Sequence, residues 1–143
     1  MSAKRPPTIM FKGKYLGIVV LIALQIIIGF IHVGFGFWLL SSSAAPLAGT
    51  TAFGPDIYSL YTVVFGLLTL VFASALWLQK LWGWYGTVTV SAFVIVVDSL
   101  TLLNLPSIPG IPKFAGFGEI TYSLIIVLYL IQTHVRTAYK IRF

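Results

Sequence analysis

The sequence predicts an all-α, polytopic membrane protein: a single antiparallel bundle of four transmembrane helices, with both termini cytoplasmic. Three observations predict it. First, four mostly apolar stretches, 15–40, 56–79, 82–103 and 119–139, each supply about the 20 residues needed to cross a hydrocarbon core of about 30 Å. Second, the basic residues sort by side. Lys4, Arg5, Lys12 and Lys14 precede the first stretch, Lys80 separates the second from the third, and Arg136, Lys140 and Arg142 close the fourth. Four crossings place all of these on one side and leave Lys113 alone on the other, and the cytoplasmic side is the one that retains Lys and Arg. Third, the only three acids, Asp56, Asp98 and Glu119, fall towards the opposite face.

Composition excludes a soluble domain. Of 143 residues, 59% are hydrophobic and 8% charged, so residues 1–143 read as one membrane-embedded domain. A net charge of +6 raises the question of nucleic acid. Because the cations flank apolar runs, they read instead as orientation signals and headgroup contacts. The absence of cysteine excludes disulfides, thiolate metal sites and haem attachment through C-x-x-C-H.

The basic segment 1–14 should lie at the inner surface, with Phe11 and Tyr15 at headgroup level. The first apolar run is much longer than the 7–15 residues typical of a signal-peptide core, so it reads as a retained helix despite the small residues Ser43-Ala44-Ala45 after it. Segment 41–55 is an uncharged outer loop, and Pro55-Asp56 suits a helix entry. The second and third helices form a tight hairpin through W-L-Q-K-L-W-G-W at 77–84. Here Trp77, Trp82 and Trp84 should settle at headgroup level as anchors while Lys80 reaches water. The outer connection 104–118 contains Pro106, Pro109 and Pro112 and should not be helical. Glu119 then begins the fourth helix as a carboxylate favoured at a helix N-terminus, as Asp56 does for the second.

Helical periodicity assigns the interior. Gln25, Gly29, His32 and Gly36 share one stripe of the first helix; Ser59, Thr62, Gly66, Thr69 and Ala73 share one on the second. On the third, Gly83, Thr87, Ser91, Asp98 and Thr101 align, and the fourth offers Ser123 and Gln132. In lipid, helices associate through small residues and polar side chains, which makes Gly29, Gly36 and Gly66 the candidate packing positions.

Asp98 lies about 20 Å along its helix from Tyr85, and His32 about 25 Å from Tyr15, at 1.5 Å per residue. Ionisable groups at such depth are rare and face an interior, a cavity or a counter-charge. The sequence therefore offers an intramembrane polar pair, His32 with Asp98, with Gln25 below and Glu119 above. It reads either as a proton relay, cation site or quinone contact, or as a structural hydrogen bond between helices. His32 and His134 lie at opposite depths, so one copy cannot ligate a haem through both. No phosphate-binding loop, H-E-x-x-H or serine-hydrolase motif occurs.

The stretch 77–84 and the ending L-Y-L-I-Q-T-H-V-R-T-A-Y at 128–139 resemble small four-helix integral membrane proteins of archaea and bacteria. The resemblance implies a prokaryotic four-helix topology and carries no catalytic residue. Together these readings give an expected function: a non-catalytic accessory or structural subunit of a larger plasma-membrane complex, such as a respiratory or other oxidoreductase assembly. Its partners would be membrane lipid and other membrane subunits or further copies of itself, with no cofactor, metal or nucleic acid. Two alternatives stand beside it: a small oligomeric transporter or channel with an Asp98/His32 proton or cation path, and a quinone- or lipid-binding membrane protein.

Overall fold

The computed structural model describes residues 10–11, 14–42 and 54–141. Strands β1 (Met10–Phe11) and β2 (Lys14–Tyr15) form a minimal antiparallel hairpin, with Met10 opposite Tyr15. Among the described residues the regular elements after it are helices: α1 (Leu16–Ser42), α2 (Gly54–Trp77), α3 (Leu81–Leu102), α4 (Lys113–Leu130) and the short α5 (Thr133–Ala138). The first four helices are long and apolar enough to cross a membrane. The two lysines and two arginines expected on the inner side at positions 4, 5, 12 and 142 lie outside the described residues.

Without a hydrophobic drive between helices in lipid, close approach requires small residues. Gly29, Gly36 and Gly66 provide it between α1 and α2. A Cβ on Gly66 would fall 2.8 Å from the Gly29 carbonyl oxygen, and one on Gly36 would fall 3.1 Å from the Ser59 carbonyl oxygen. Gly83 plays the same part between α3 and α2, where a Cβ would fall 2.7 Å from the Ala75 carbonyl carbon. Ser59, Thr62, Thr69 and Ala73 of α2 and Thr87, Ser91, Val94 and Asp98 of α3 are all buried. The opposite faces carry exposed Ile, Leu, Val and Phe.

The C-terminal ends of α2 and α3 are closed by backbone caps. Gln79 and Asn104 take positive φ (53° and 57°), which lets Lys80 N–H reach the Ala75 carbonyl (2.9 Å) and Leu105 N–H reach that of Leu100 (2.9 Å). These are the six-to-one bonds of Schellman caps. At the end of the bundle near the α2–α3 turn, Ile18, Leu76, Trp84, Leu130, Val135 and Tyr139 form one apolar cluster.

Three expectations are corrected here. The fourth helix begins at Lys113, well ahead of Glu119, because Pro112 holds an extended N-cap (φ −70°, ψ 132°). Gly116 is then spent on close approach to α3, where a Cβ would meet the Asp98 Cβ at 3.4 Å, and not on a turn. Glu119 therefore lies in the second turn and is no N-terminal cap. The same helix stops at Leu130, short of 139. The Leu130 carbonyl accepts from the Trp84 indole Nε1–H (3.0 Å), Gln132 turns extended, and the chain restarts as α5. Trp84 is consequently a core residue, 3% exposed, while Trp82 at 51% and Trp77 stay at the surface beside exposed Lys80.

Candidate functional site

The polar residues of the four long helices gather in two places. The first lies towards the α3–α4 connection. His32 of α1 sits one turn above Ile28, and its Nδ1 is 2.8 Å from the Ile28 carbonyl oxygen, so that nitrogen carries the hydrogen. Its Nε2 is 3.4 Å from Glu119 Oε1 of α4. With Nδ1 committed as a donor, this contact needs one further proton. Either the imidazole holds it and faces a carboxylate, or the carboxylic acid holds it and donates to a neutral imidazole. The Phe65 ring of α2 stands edge-on to His32, with centroids 4.9 Å apart.

Asp98 of α3 lies behind this contact and is completely buried beneath Gly116. Neither of its oxygens has a partner in hydrogen-bonding geometry. Glu119 nevertheless approaches closely enough for the two charges to interact, and His32 lies within electrostatic range. His32 thus engages Glu119 rather than bonding Asp98 directly, and the arrangement is a cluster of three residues from three helices.

Gln25 is not part of that cluster. It lines a cavity of about 10 Å³ deeper in the molecule, together with Thr69, Thr87, Ser91, Tyr122 and Ser123. Gln25 Oε1, the Thr87 hydroxyl and the Tyr122 hydroxyl are all buried there without a protein partner. The space suits about one water, which needs two to four such groups.

Between α1 and α4 the packing changes character. Their backbones stay apart, and long side chains span the seam; Tyr129, for example, occupies the space that a side chain on Gly17 would need. Two clefts open along this seam. The upper one, about 260 Å³, is lined by Ile28, His32, Phe65, Phe114, Ala115, Gly118, Glu119, Tyr122 and Ser123. The lower one, about 360 Å³, is almost wholly apolar and runs between Leu16, Gly17, Val20, Leu21 and Leu24 on one side and Tyr122, Ile125, Ile126 and Tyr129 on the other. Tyr122 lines both.

Glu119, Tyr122, Ile126 and Tyr129 are spaced at threes and fours, so the cleft-facing side of α4 carries a helical signal. At the start of α5, His134 is exposed, with its ring edge-on to Tyr15 at 5.1 Å. Among the described residues, no group of three or more His, Asp and Glu side chains is placed to hold a metal ion. No family model, curated protein or solved structure matches the chain.

Proposed function

We propose that this chain is an integral protein of the plasma membrane that holds a lipid-soluble, amphipathic molecule in the seam between α1 and α4. The observation that carries this reading is the join at Tyr122. One side chain borders both the His32–Glu119 cleft and the apolar groove, so a site for a polar head and a site for a tail adjoin at Tyr122. Their volumes are of the order of small-molecule sites, roughly 300–1,000 Å³.

In this reading the four helices cross the bilayer in alternating directions, with both chain ends cytoplasmic. The α1–α2 contacts support the alternation: Gly29 meets Leu70 and Gly66, whereas Gly36 meets Val63 and Ser59, so positions rise along one helix as they fall along the other. The distribution of Lys and Arg supports the orientation. The chain acts as a non-catalytic component of a larger membrane assembly, a role that rests on its small mass outside the apolar runs and its lack of a nucleophile–base pair or cofactor motif. A cation path within one copy is less well supported, because the polar cavity at Gln25 has room for about one water only.

Purification from native membranes in mild detergent tests both parts. Organic extraction should yield one lipid-soluble species at near one per chain, and the purified material should contain a stoichiometric protein partner. Gly118 lines the upper cleft, and a Cβ there would meet nothing within 4 Å, so Gly118→Phe should fill the cleft without disturbing the fold. Equal retention of the small molecule by Gly118→Phe, or its absence from the wild-type extract, would overturn the binding reading. Migration alone would overturn the accessory role.

A further inference from the structure

We infer that the molecule held in the α1–α4 seam is a quinone: a flat ring whose oxygens alternate between carbonyl and hydroxyl, on a linear apolar tail. The inference rests on the seam being a ligand site and concerns which chemistry that site selects.

The head position is defined by what it contains and by what it lacks. His32 and Glu119 are its hydrogen-bonding pair, with Nε2 and Oε1 3.4 Å apart and Nδ1 held by the Ile28 carbonyl. Such a pair offers a donor when the proton faces outward and an acceptor when it does not. A quinone carbonyl needs the first and a quinol hydroxyl the second, so the same two side chains serve both forms of one ring. Phe65, Phe114 and Tyr122 add aromatic surfaces around the pair, suited to offset or edge contact with a planar ring.

Among the described residues lining the cleft there is no Lys or Arg. Lys113 is the nearest cation in sequence, but its amine donates to Asn104 Oδ1 at 2.7 Å on the α3–α4 connection. The segment 43–56, which enters α2, also contains no basic residue. Phosphate recognition relies on Arg, Lys or a helix N-terminus; the first turn of α4 does border the cleft through Phe114 and Ala115, but a phosphate there would face Glu119 with Asp98 behind it and no cation to offset them. A phospholipid headgroup is therefore disfavoured on charge.

The tail position follows from α4. From Glu119 to Tyr129 is about 15 Å at 1.5 Å per residue. Over that length the groove presents Leu, Val, Ile and the bare backbone of Gly17. A linear chain fits this surface without meeting a charged group.

The test uses the full-length protein, delipidated in detergent, with decylubiquinone, its reduced form decylubiquinol and a phosphatidylglycerol as separate probes. Binding is read from the concentration dependence of Tm, which rises when a ligand binds only the folded state. Both decylubiquinone and decylubiquinol should raise Tm, with affinities within about tenfold of each other because one pair serves both forms. Glu119→Leu and Gly118→Phe should each weaken both by tenfold or more. His32→Gln, which keeps a donor and an acceptor, should weaken them less than His32→Leu. The Tm of each variant without probe reports whether it folds. Binding of phosphatidylglycerol with no response to either decyl probe would overturn the quinone assignment and leave the seam as a ligand site. No response to any probe, with no small molecule in the native extract, would overturn both.

Discussion

Thr87, Gln25 and Tyr122 each bury a polar atom that no other described residue satisfies, and all three border the same small cavity. An orphaned buried hydroxyl is costly, and replacing it with an isosteric apolar group then stabilises. A hydroxyl that shares a water with its neighbours behaves in the opposite way. Thr87→Val and Tyr122→Phe should therefore each lower stability by about 1 kcal/mol, and the double variant should cost less than the sum because both act on one bridge. Thermal or denaturant unfolding in detergent checks this; additive or stabilising effects would show that no bridge exists. Asp98 makes a contrasting residue-scale prediction. A carboxylate without a hydrogen-bond partner gains nothing from its charge in the fold, so Asp98→Asn should leave Tm unchanged or raise it, whereas Asp98→Lys should abolish folding.

Among the elements, the α1–α2 pair depends on glycine at places where backbone meets backbone. Gly66→Ala must displace the Gly29 carbonyl and Val33, and overpacking of this kind costs about 1–3 kcal/mol. Gly34 is on the same helix as Gly29 but faces open space, so Gly34→Ala should be neutral or gain up to about 1 kcal/mol. Unfolding of the two variants side by side separates packing from helix propensity. The short α5 acts through Tyr139, whose hydroxyl donates to the Leu76 carbonyl at 2.9 Å. Burial pushes this hydroxyl above the usual phenol value, so the folded state keeps its proton longer than the unfolded one. The resulting stability is present below about pH 10 and declines as pH rises beyond it. Tyr139→Phe should lower stability by about 1 kcal/mol at neutral pH and flatten that alkaline decline, as measured by Tm against pH. The stripes on α2 and α3 were legible in the sequence because period and residue size agree along them. The start of α4 was not, since Pro112, Gly116 and Gly118 signal a loop, and only the neighbouring Asp98 shows that Gly116 serves helix approach.

At the scale of the molecule, charge sorting and four apolar runs made the span count legible, whereas the seam between α1 and α4 could not be read. A cleft is a property of two surfaces that fail to meet, and neither helix carries that information alone. Glu119 illustrates this: the sequence supports a capping role, and only the approach of His32 from 87 residues away assigns it another. The predicted orientation is open to direct measurement, because the chain contains no cysteine to give background. Lys80→Cys should react with a membrane-impermeant maleimide only from the cytoplasmic side, and Gly110→Cys only from the outside. The reverse pattern would invert the topology and place the quinone head at the other leaflet.

The bond between Tyr139 and Leu76 also imposes an order on synthesis. Leu76 ends a helix that is made early, yet its partner is 63 residues further along the chain. At about 5–20 residues per second, the ribosome delivers that phenol roughly 3–13 s later. During that interval the backbone cap at Gln79 and Lys80 already closes the base of the second helix, but the Leu76 carbonyl lacks its phenol donor, and a chain arrested before Tyr139 stays in that state. The end of the bundle that carries Leu76 and Tyr139 thus closes in two steps, first through backbone and later through this phenol.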